Sequence, residues 1–404
     1  MSQRLKVILR SGKDDAVRRF HPWVFSGAIK KMIGPEFDGC TADVYSNRDE
    51  YLGCGIYQDA AIAVRILDFA PAKHNNFDAP FWSGKIRSAY RLRETANLAV
   101  NPHTNVYRLV HGEGDHLPGL IIDHYDGHLV VQVHSTGLYT YIDQISEGIK
   151  PVYGKRLRSI YDKSRETLPA DFWQENETRG YLFKGDNDVD KEGHIRVREN
   201  GNDFLVDITG GQKTGFFIDQ RENRLLLSRY SKGKRVLNTF SYSGGFSVYA
   251  LKAGAESVDS VDSSKKAVKL SELNAVINGV SERHTAHTGD VMEYLKSAEK
   301  EYDLIILDPP AYAKHQNVRH KAVQGYKRLN LEALKRISSG GILFTFSCSQ
   351  VVDMKLFQST VMSAAILAGR KVRILHQLTQ PADHPVNIFH PEGHYLKGLV
   401  LLVD

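Results

Sequence analysis

The second half of the chain alternates apolar runs with amphipathic segments. From about residue 190 onward, seven runs have the length and composition of strands: 235–238, 257–262, 285–290, 302–308, 342–347, 372–378 and 397–403. Helical periodicity marks intervening segments, for example 265–277, 327–337 and 354–368. Alternating β and α units with apolar strands predict a parallel, doubly wound α/β sheet, whose ligands bind beyond the carboxyl ends of the strands.

The first half of the chain has a different pattern. Residues 1–75 contain short β-like runs separated by glycine-containing turns, which predict a small barrel-like β domain. Residues 76–188 combine a helical pattern with several strand-like runs, which is typical of an α+β domain. With the α/β segment at 189–404, the sequence predicts three domains, in agreement with a length of 404 residues.

Several classes of protein are excluded by composition. No apolar run approaches the ~20 residues of a membrane span, and the N-terminus lacks a secretory signal. The three cysteines, at positions 40, 54 and 348, have neither a disulfide framework nor metal-ligand spacing. We therefore expect a cytoplasmic protein with no membrane partner and no metal.

Basic residues are concentrated in two regions. The net charge is +6, and residues 1–35 contain eight Lys or Arg against two Asp, with Arg18 and Arg19 adjacent. A second stretch, residues 311–328, has no acidic residue and contains Lys314, Arg319, Lys321, Lys327 and Arg328. Basic clusters of this kind favour a polyanionic partner, since they neutralise phosphates.

A nucleoside site is predicted at the first two strands of the α/β segment. A glycine turn, Gly244-Gly245, follows the first strand, and Asp262 ends the second, where a carboxylate can accept both ribose hydroxyls. Asp290 ends the third strand. The three-glycine fingerprint of dinucleotide sites is missing, and no P-loop is present, so we expect adenosine without a pyrophosphate rather than NAD or ATP.

Two further strands end in residues that can carry chemistry. Asp308 is followed by Pro309 and Pro310, and prolines make this strand end rigid, so the carboxylate can hold the edge of a planar base. Cys348 ends the next strand, shortly before a helix whose dipole favours a thiolate. Because parallel strands end at the same edge of a sheet, we expect Asp308 and Cys348 to face one cleft.

Seven motifs in order resemble the RlmI-type 23S ribosomal RNA cytosine-5 methyltransferases. They are 21–28 (His-Pro-Trp-Val-Phe-Ser-Gly-Ala), 117–123 (Leu-Pro-Gly-Leu-Ile-Ile-Asp), 213–221 (Lys-Thr-Gly-Phe-Phe-Ile-Asp-Gln-Arg), 238–246 (Asn-Thr-Phe-Ser-Tyr-Ser-Gly-Gly-Phe), 308–310 (Asp-Pro-Pro), 346–349 (Phe-Ser-Cys-Ser) and 382–385 (Ala-Asp-His-Pro). The resemblance implies an N-terminal PUA-like RNA-binding domain, a central α+β domain and a C-terminal Rossmann-like class I methyltransferase domain. It also implies S-adenosyl-L-methionine as cofactor and ribosomal RNA of the large subunit as partner.

The resemblance also assigns roles to residues. Cys348 is expected to add to carbon 6 of cytosine and Asp308 to hold the base. The cofactor is expected to contact Phe217, Asp219, Gln220, Asn238, Ser243, Gly244, Gly245, Phe246, Asp262, Asp290, Asp308 and Pro309. RNA is expected to contact Arg18, Arg19, Lys314, Arg319 and Lys321.

Two alternatives stay open at this point. Asp-Pro-Pro-like loops also serve methylation of a guanine or adenine nitrogen, for which Cys348 is dispensable. A non-catalytic ribosome-assembly factor would keep the fold without binding the cofactor. The sequence also leaves open whether the chain forms a homodimer, which nucleotide is modified, and which base removes the carbon-5 proton.

Overall fold

The computed structural model describes residues 4–70, 76–177, 179–185, 193–298, 301–313 and 315–404. The chain forms two compact units. The first comprises Met1–Val197, Val206–Ile218 and Ala382–Gly393, and the second comprises Arg198–Leu205, Asp219–Pro381 and His394–Asp404. Among the described helices, none is both long and apolar enough to cross a membrane.

The first unit begins with a six-stranded sheet. Its elements are β1 (Leu5–Leu9), α1 (Asp15–Arg18), β2 (Trp23–Phe25), β3 (Ile29–Ile33), β4 (Thr41–Tyr45), β5 (Tyr51–Tyr57) and β6 (Ile62–Phe69). The strand order is β2-β6-β5-β4-β1-β3, and β1 and β4 are parallel. Leu5, Val7 and Leu9 are fully buried and alternate with partly exposed residues, because successive side chains of a strand point to opposite faces.

A second sheet completes the first unit. Its elements are α2 (Ala79–Thr95), β7 (Val106–His111), β8 (Leu120–Tyr125), β9 (His128–Val133), α3 (Thr136–Tyr139), α4 (Ile142–Tyr153), β10 (Ser159–Asp162), α5 (Phe172–Glu175) and β11 (Tyr181–Lys184). The strand order is β11-β10-β9-β8-β7. Trp82, Ile86, Ala89 and Tyr90 form the buried stripe of α2, at the spacing of one helix face.

The second unit contains a seven-stranded sheet. A two-stranded sheet, β12 (His194–Glu199) and β13 (Asn202–Asp207), precedes it in the chain. The remaining elements are α6 (Arg221–Ser231), β14 (Arg235–Thr239), α7 (Gly245–Lys252), β15 (Ser257–Asp262), α8 (Lys265–Ile277), β16 (His284–Thr288), α9 (Val291–Ser297), β17 (Tyr302–Leu307), α10 (Arg319–Arg336), β18 (Ile337–Ser347), α11 (Met354–Ala368), β19 (Val372–Leu378) and β20 (Lys397–Val403).

The order of the large sheet is β16-β15-β14-β17-β18-β20-β19. The chain starts at the central strand β14, adds β15 and β16 on one side and then returns to add β17 on the other side. This reversal is the topological switch point at which such sheets bind ligands. The prediction of an entirely parallel sheet is wrong at β20, which runs antiparallel to both β18 and β19. Among the described residues between β19 and β20 there is one short 3-10 helix, Pro391–Gly393, and no α-helix, so the connection lacks the helical crossover usual between parallel strands.

Most of the basic stretch 311–328 is helical, whereas the sequence predicted a helix only from residue 327. Helix α10 begins at Arg319 rather than at residue 327, because Ala322 and Tyr326 are buried and extend its apolar stripe by about one and a half turns. Arg319 and Lys321 are therefore exposed residues of the first turn of a helix. Lys314 lies outside the described residues.

Candidate active site

The turn after β14 has an unusual backbone. Phe240, Tyr242 and Gly244 all have positive φ angles, of 54, 44 and 76 degrees respectively. A Cβ atom on Gly244 would lie 2.8 Å from the Cβ of Ser271. Only glycine fits there without strain, since both its φ angle and its close packing exclude a side chain. The turn thus opens directly into α7 at the switch point of the sheet.

Asp262 is held rigidly at the end of β15. Its two carboxylate oxygens accept hydrogen bonds from the backbone N–H groups of Tyr242 and Ser264, each at 2.9 Å. Each oxygen retains a second acceptor position, so the group is able to receive two hydroxyl donors. Asp290, in contrast, is exposed and caps α9 by accepting a hydrogen bond from the N–H of Glu293 at 3.0 Å.

Two carboxyl groups come together beside β17. Asp219 accepts a hydrogen bond from the hydroxyl of Tyr395 at 2.7 Å, and its other oxygen, Oδ1, is buried without a hydrogen-bond partner among the described residues. Burial and the negative charge of Asp219 raise the pKa of Asp308 to about 7, although a hydrogen bond with Gln220 and the charge of Arg224 oppose the shift. Asp308 therefore carries a proton in much of the protein at neutral pH.

Replacement of Asp308 by Asn is expected to raise the melting temperature at pH 8 and to raise it much less at pH 5. The folded-state pKa of about 7 lies above the unfolded value of about 4, so this group costs stability as the pH rises from 4 through 7. The full shift corresponds to at most ~4 kcal/mol, and residual solvent contact reduces the effect to roughly 1–2 kcal/mol. Thermal unfolding at both pH values should resolve the resulting gain of about 2–8 °C.

Asp303 on the same strand is the matched control for this measurement. Hydrogen bonds from Arg235 lower the pKa of Asp303 to about 2, so its charge stabilises the folded state above pH 4. Asp303→Asn is therefore expected to lower the melting temperature at pH 8. Equal shifts for Asp308→Asn at pH 5 and pH 8 would contradict the raised pKa.

Cys348 lies where β18 ends, one strand away from Asp308. Its side chain is half-buried, and Sγ lies 3.9 Å from the carbonyl oxygen of Pro309. The hydroxyl of Ser349 donates to the carbonyl of Ala313 at 2.7 Å, which ties the loop after β18 to the loop after β17. The Asp-Pro-Pro loop and the cysteine therefore lie at one edge of the sheet, as the sequence predicted.

The helix dipole is a weaker influence on Cys348 than the sequence suggested. Helix α11 begins at Met354, six residues after the cysteine, and its N-cap is the carboxylate of Asp353, which accepts a hydrogen bond from the N–H of Leu356 at 2.8 Å. A negatively charged cap offsets the positive end of the helix. The predicted effect of the helix dipole on Cys348 is therefore small.

The other residues assigned to the cofactor occupy different environments. Asn238 is buried and donates to the hydroxyl of Ser247 at 2.8 Å, while Phe246 is buried with its ring 5.8 Å from that of Phe346. Both pack inside the second unit. Phe217 belongs to the first unit, where it is half-buried. The remaining buried members of the set are Gln220, Ser243, Gly245 and Pro309.

Sequence reasoning missed three residues near this edge of the sheet. Tyr395 bonds Asp219, Lys397 bonds the loop that carries Cys348, and the hydroxyl of Ser241 is buried without a hydrogen-bond partner among the described residues. Tyr395 and Lys397 follow a strand connection without regular structure, so no spacing indicated their position. Ser241 lies inside the motif at 238–246, so it is the only one of these three residues that the sequence could have indicated.

The two N-terminal arginines differ in their environment. Arg18 donates to Asp14 at 2.7 Å and forms a second ion pair with Glu50. Arg19 forms no ion pair with a described residue. It lines a cavity of about 400 Å³ together with Lys13, His21 and Phe389, so it is the arginine that is available to a ligand.

Three side chains beside this cavity have the composition of a metal site. Ligand atoms of His21, His390 and Glu392 lie within 4.8 Å of one another. The Nδ1 atom of His21, however, accepts a hydrogen bond from the N–H of Trp23 at 3.2 Å, which leaves the ring proton on Nε2, the nitrogen 3.8 Å from Glu392. Metal binding through Nε2 of His21 would require the ring proton to move to Nδ1 and the hydrogen bond from Trp23 to break, which disfavours a metal at this group.

Comparisons with known proteins agree with this geometry. A family model described as S-adenosylmethionine-dependent methyltransferase matches residues 190–385, and a PUA-like domain model matches residues 7–69. A solved structure of a proposed methyltransferase in complex with SAH has a TM-score of 0.83 at 24% identity and covers 98% of this chain and 99% of that chain. A proposed S-adenosylmethionine-dependent methyltransferase from Streptococcus mutans has a TM-score of 0.81, also at 24% identity, with the same coverage.

Curated relatives match at full length. The ribosomal RNA large subunit methyltransferase I of Aeromonas salmonicida is 37% identical over 401 residues, which cover 98% of each chain. The protein of that name from Escherichia coli is 36% identical over 404 residues, which cover 99% of each chain. The predicted fold class, family and cofactor are confirmed: this chain belongs to the ribosomal RNA large subunit methyltransferase I family, with an S-adenosylmethionine-dependent methyltransferase domain and a PUA-like domain.

Proposed function

We propose that the chain methylates carbon 5 of a cytosine in 23S ribosomal RNA through a covalent bond between Cys348 and carbon 6. The observation that carries the proposal is the placement of Cys348 and Asp308 after neighbouring parallel strands, with Sγ 3.9 Å from the carbonyl oxygen of Pro309. A thiol and a proton-carrying carboxyl group thus lie at the ends of neighbouring strands, which supports a shared role in the reaction. The full-length relatives act on ribosomal RNA of the large subunit, according to their names.

The residues at the switch point fit S-adenosylmethionine. Asp262 has the acceptor positions that ribose hydroxyls need, and the buried, unpaired Oδ1 of Asp219 suits the positively charged amino group of the methionine part. When bound, the cofactor supplies an electrophilic methyl group.

The protein must make carbon 5 of cytosine nucleophilic. The thiolate of Cys348 forms a bond to carbon 6, and the displaced π electrons move toward the ring nitrogen at position 3. Asp308, protonated near neutral pH, donates its proton or a hydrogen bond to that nitrogen and accepts from the exocyclic amino group. Carbon 5 would then take the methyl group and leave S-adenosylhomocysteine. A base would remove the carbon-5 proton as the thiolate is expelled, and nitrogen 3 would return its proton to Asp308, which restores the ring.

The test is to methylate 23S ribosomal RNA from cells that lack the protein and to map the product by bisulfite sequencing. A single protected cytosine is expected, at a position that stays unprotected without the enzyme. Methylation on a purine nitrogen, detected by mass spectrometry of the nucleosides, would favour the alternative reaction. No methylation together with no binding of S-adenosylmethionine would favour a non-catalytic assembly factor.

The target base must leave its stack, at a cost of a few kcal/mol, and contacts away from the catalytic cleft help to offset this cost. We propose that the first domain, residues 1–75, and the exposed start of α10 at Arg319 and Lys321 bind the RNA backbone. The division into domains at residues 75 and 188 and the cytoplasmic location remain predictions. RNA binding by the cavity at Arg19 follows from its charge and its aromatic lining.

Arg19→Ala is expected to weaken RNA binding roughly 3- to 10-fold at moderate salt and to lower the salt dependence by about one counterion, because it removes one unpaired cation. Arg18→Ala is the matched control and should change RNA binding less than about twofold, since Arg18 is already paired with Asp14 and Glu50. Filter binding over a salt series measures both values. A larger effect for Arg18→Ala than for Arg19→Ala would contradict the assignment.

A further inference from the structure

Lys397 is a buried lysine beside the proposed nucleophile. It begins β20 and pairs with Ser347 in the antiparallel register of β18 and β20. Its Nζ donates to the carbonyl oxygen of Ser349 at 2.6 Å and to that of Tyr395 at 2.6 Å. The backbone of Lys397 lies opposite residue 347, and its side chain reaches the carbonyl of residue 349. It therefore runs alongside the segment that contains Cys348.

The charge of Lys397 is not neutralised by a carboxylate contact. Only 2% of the residue is exposed, and it forms no ion pair with a described residue. Two of its three N–H groups bond carbonyl oxygens, so one is left for another acceptor. Burial of an ammonium group without a counter-ion costs free energy. A nearby group that becomes an anion lowers this cost, and the positive charge in turn stabilises that anion.

Two titratable groups, Asp353 and Tyr326, act on the pair of Lys397 and Cys348 from the surrounding elements. Burial lowers the pKa of Lys397 to about 8, and the charges of Cys348 and of Asp353, the cap of α11, oppose the shift. Tyr326 of α10 interacts with Cys348, and burial raises its pKa, so it stays neutral. The interaction is reciprocal: a negative charge on Cys348 favours the ammonium form of Lys397, and the ammonium form favours a negative charge on Cys348.

We propose that Lys397 keeps Cys348 in its reactive thiolate form. The amine takes the proton of the thiol, the S–H bond breaks as the N–H bond forms, and the ammonium group then stays beside the sulfur. Lys397 is thus a positioning residue that acts through Cys348, and it supplies the positive charge that the capped helix α11 does not. The proposal rests on Cys348 as the nucleophile, but the ionisation of the thiol is measurable without any methyl transfer.

The test measures the pH profile of Cys348 alkylation by iodoacetamide in the full chain, resolved by peptide mass spectrometry. Lys397→Met is expected to raise the apparent pKa of the thiol by at least about one unit, so alkylation at pH 7 slows about 10-fold. Lys397→Arg, which keeps the charge, should restore most of the rate. Affinity for S-adenosylmethionine should change less than about twofold, which distinguishes the effect from general damage.

An unchanged alkylation profile in folded Lys397→Met would overturn the proposal. If this variant does not fold, the reciprocal measurement replaces it. Cys348→Ser removes the thiolate, and the pKa of Lys397, followed by acetic anhydride labelling, should then fall; an unchanged value would overturn the proposal equally. A third outcome separates the two proposals. If the thiol pKa is low and depends on Lys397 but the enzyme is active without Cys348, the proposed covalent function is wrong and the proposed ion pair is correct.

Discussion

Cys348→Ala is expected to lower methyl transfer to ribosomal RNA by about 10³-fold or more while affinity for S-adenosylmethionine stays within about twofold. Carbon 5 of cytosine is a poor nucleophile until a bond forms at carbon 6, so removal of the sulfur removes the step that activates the ring. The residues proposed to bind the cofactor, Asp262 and Asp219, make their described hydrogen bonds with Tyr242, Ser264 and Tyr395 and not with Cys348. Single-turnover methylation and calorimetry measure the two quantities separately.

Cys40→Ala is the matched control, because Cys40 is buried in the first unit and burial raises the pKa of its thiol. It should keep methyl transfer within about threefold. RNA that carries 5-fluorocytidine provides a direct check, since fluorine at carbon 5 cannot leave as a proton and the adduct persists. A protein–RNA adduct of this kind should form with the native chain and not with Cys348→Ala. Full activity in Cys348→Ala would point to methylation of a purine nitrogen instead.

Local pattern was sufficient to predict most strands that support the site. The bounds of β15, β19 and β20 match the predicted runs, because each is a short apolar or alternating segment with clear ends. The placement of Asp308 and Cys348 at one edge of the sheet was predictable for the same reason: Asp308 ends one predicted strand, Cys348 follows the next, and parallel strands bring their carboxyl ends together. Their roles in the reaction stay predictions.

Features that depend on long-range contacts were not predictable. Lys397 reaches the loop of Cys348 only because β20 pairs with β18 in the antiparallel direction, which the apolar pattern of β20 does not reveal. Arg18 and Arg19 are adjacent and look equivalent in the sequence. They differ because Arg18 forms an ion pair with Glu50, which is 32 residues away in the chain. Charge counts therefore located the basic region but did not show which of the two arginines is already ion-paired.

Asp262→Asn is expected to weaken S-adenosylmethionine binding by roughly 10- to 100-fold. Hydrogen bonds to a charged acceptor contribute about 1.5–3 kcal/mol each, and the carboxylate is held in position by the N–H groups of Tyr242 and Ser264. Asp290→Asn is the comparison variant. Its exposed side chain is well solvated, so its replacement should weaken binding less than about fivefold. Calorimetry with S-adenosylhomocysteine gives both affinities.

The amide of Asp262→Asn also turns an N–H group toward one of the two backbone donors, so part of its effect comes from the turn itself. A thermodynamic cycle with the 2′-deoxy analogue of S-adenosylhomocysteine separates the two contributions. The native chain should bind the analogue at least about 10-fold more weakly than the parent ligand, whereas Asp262→Asn should discriminate between them less than about threefold. Equal discrimination in both proteins would show that Asp262 supports the turn at Gly244 and does not bind the ribose.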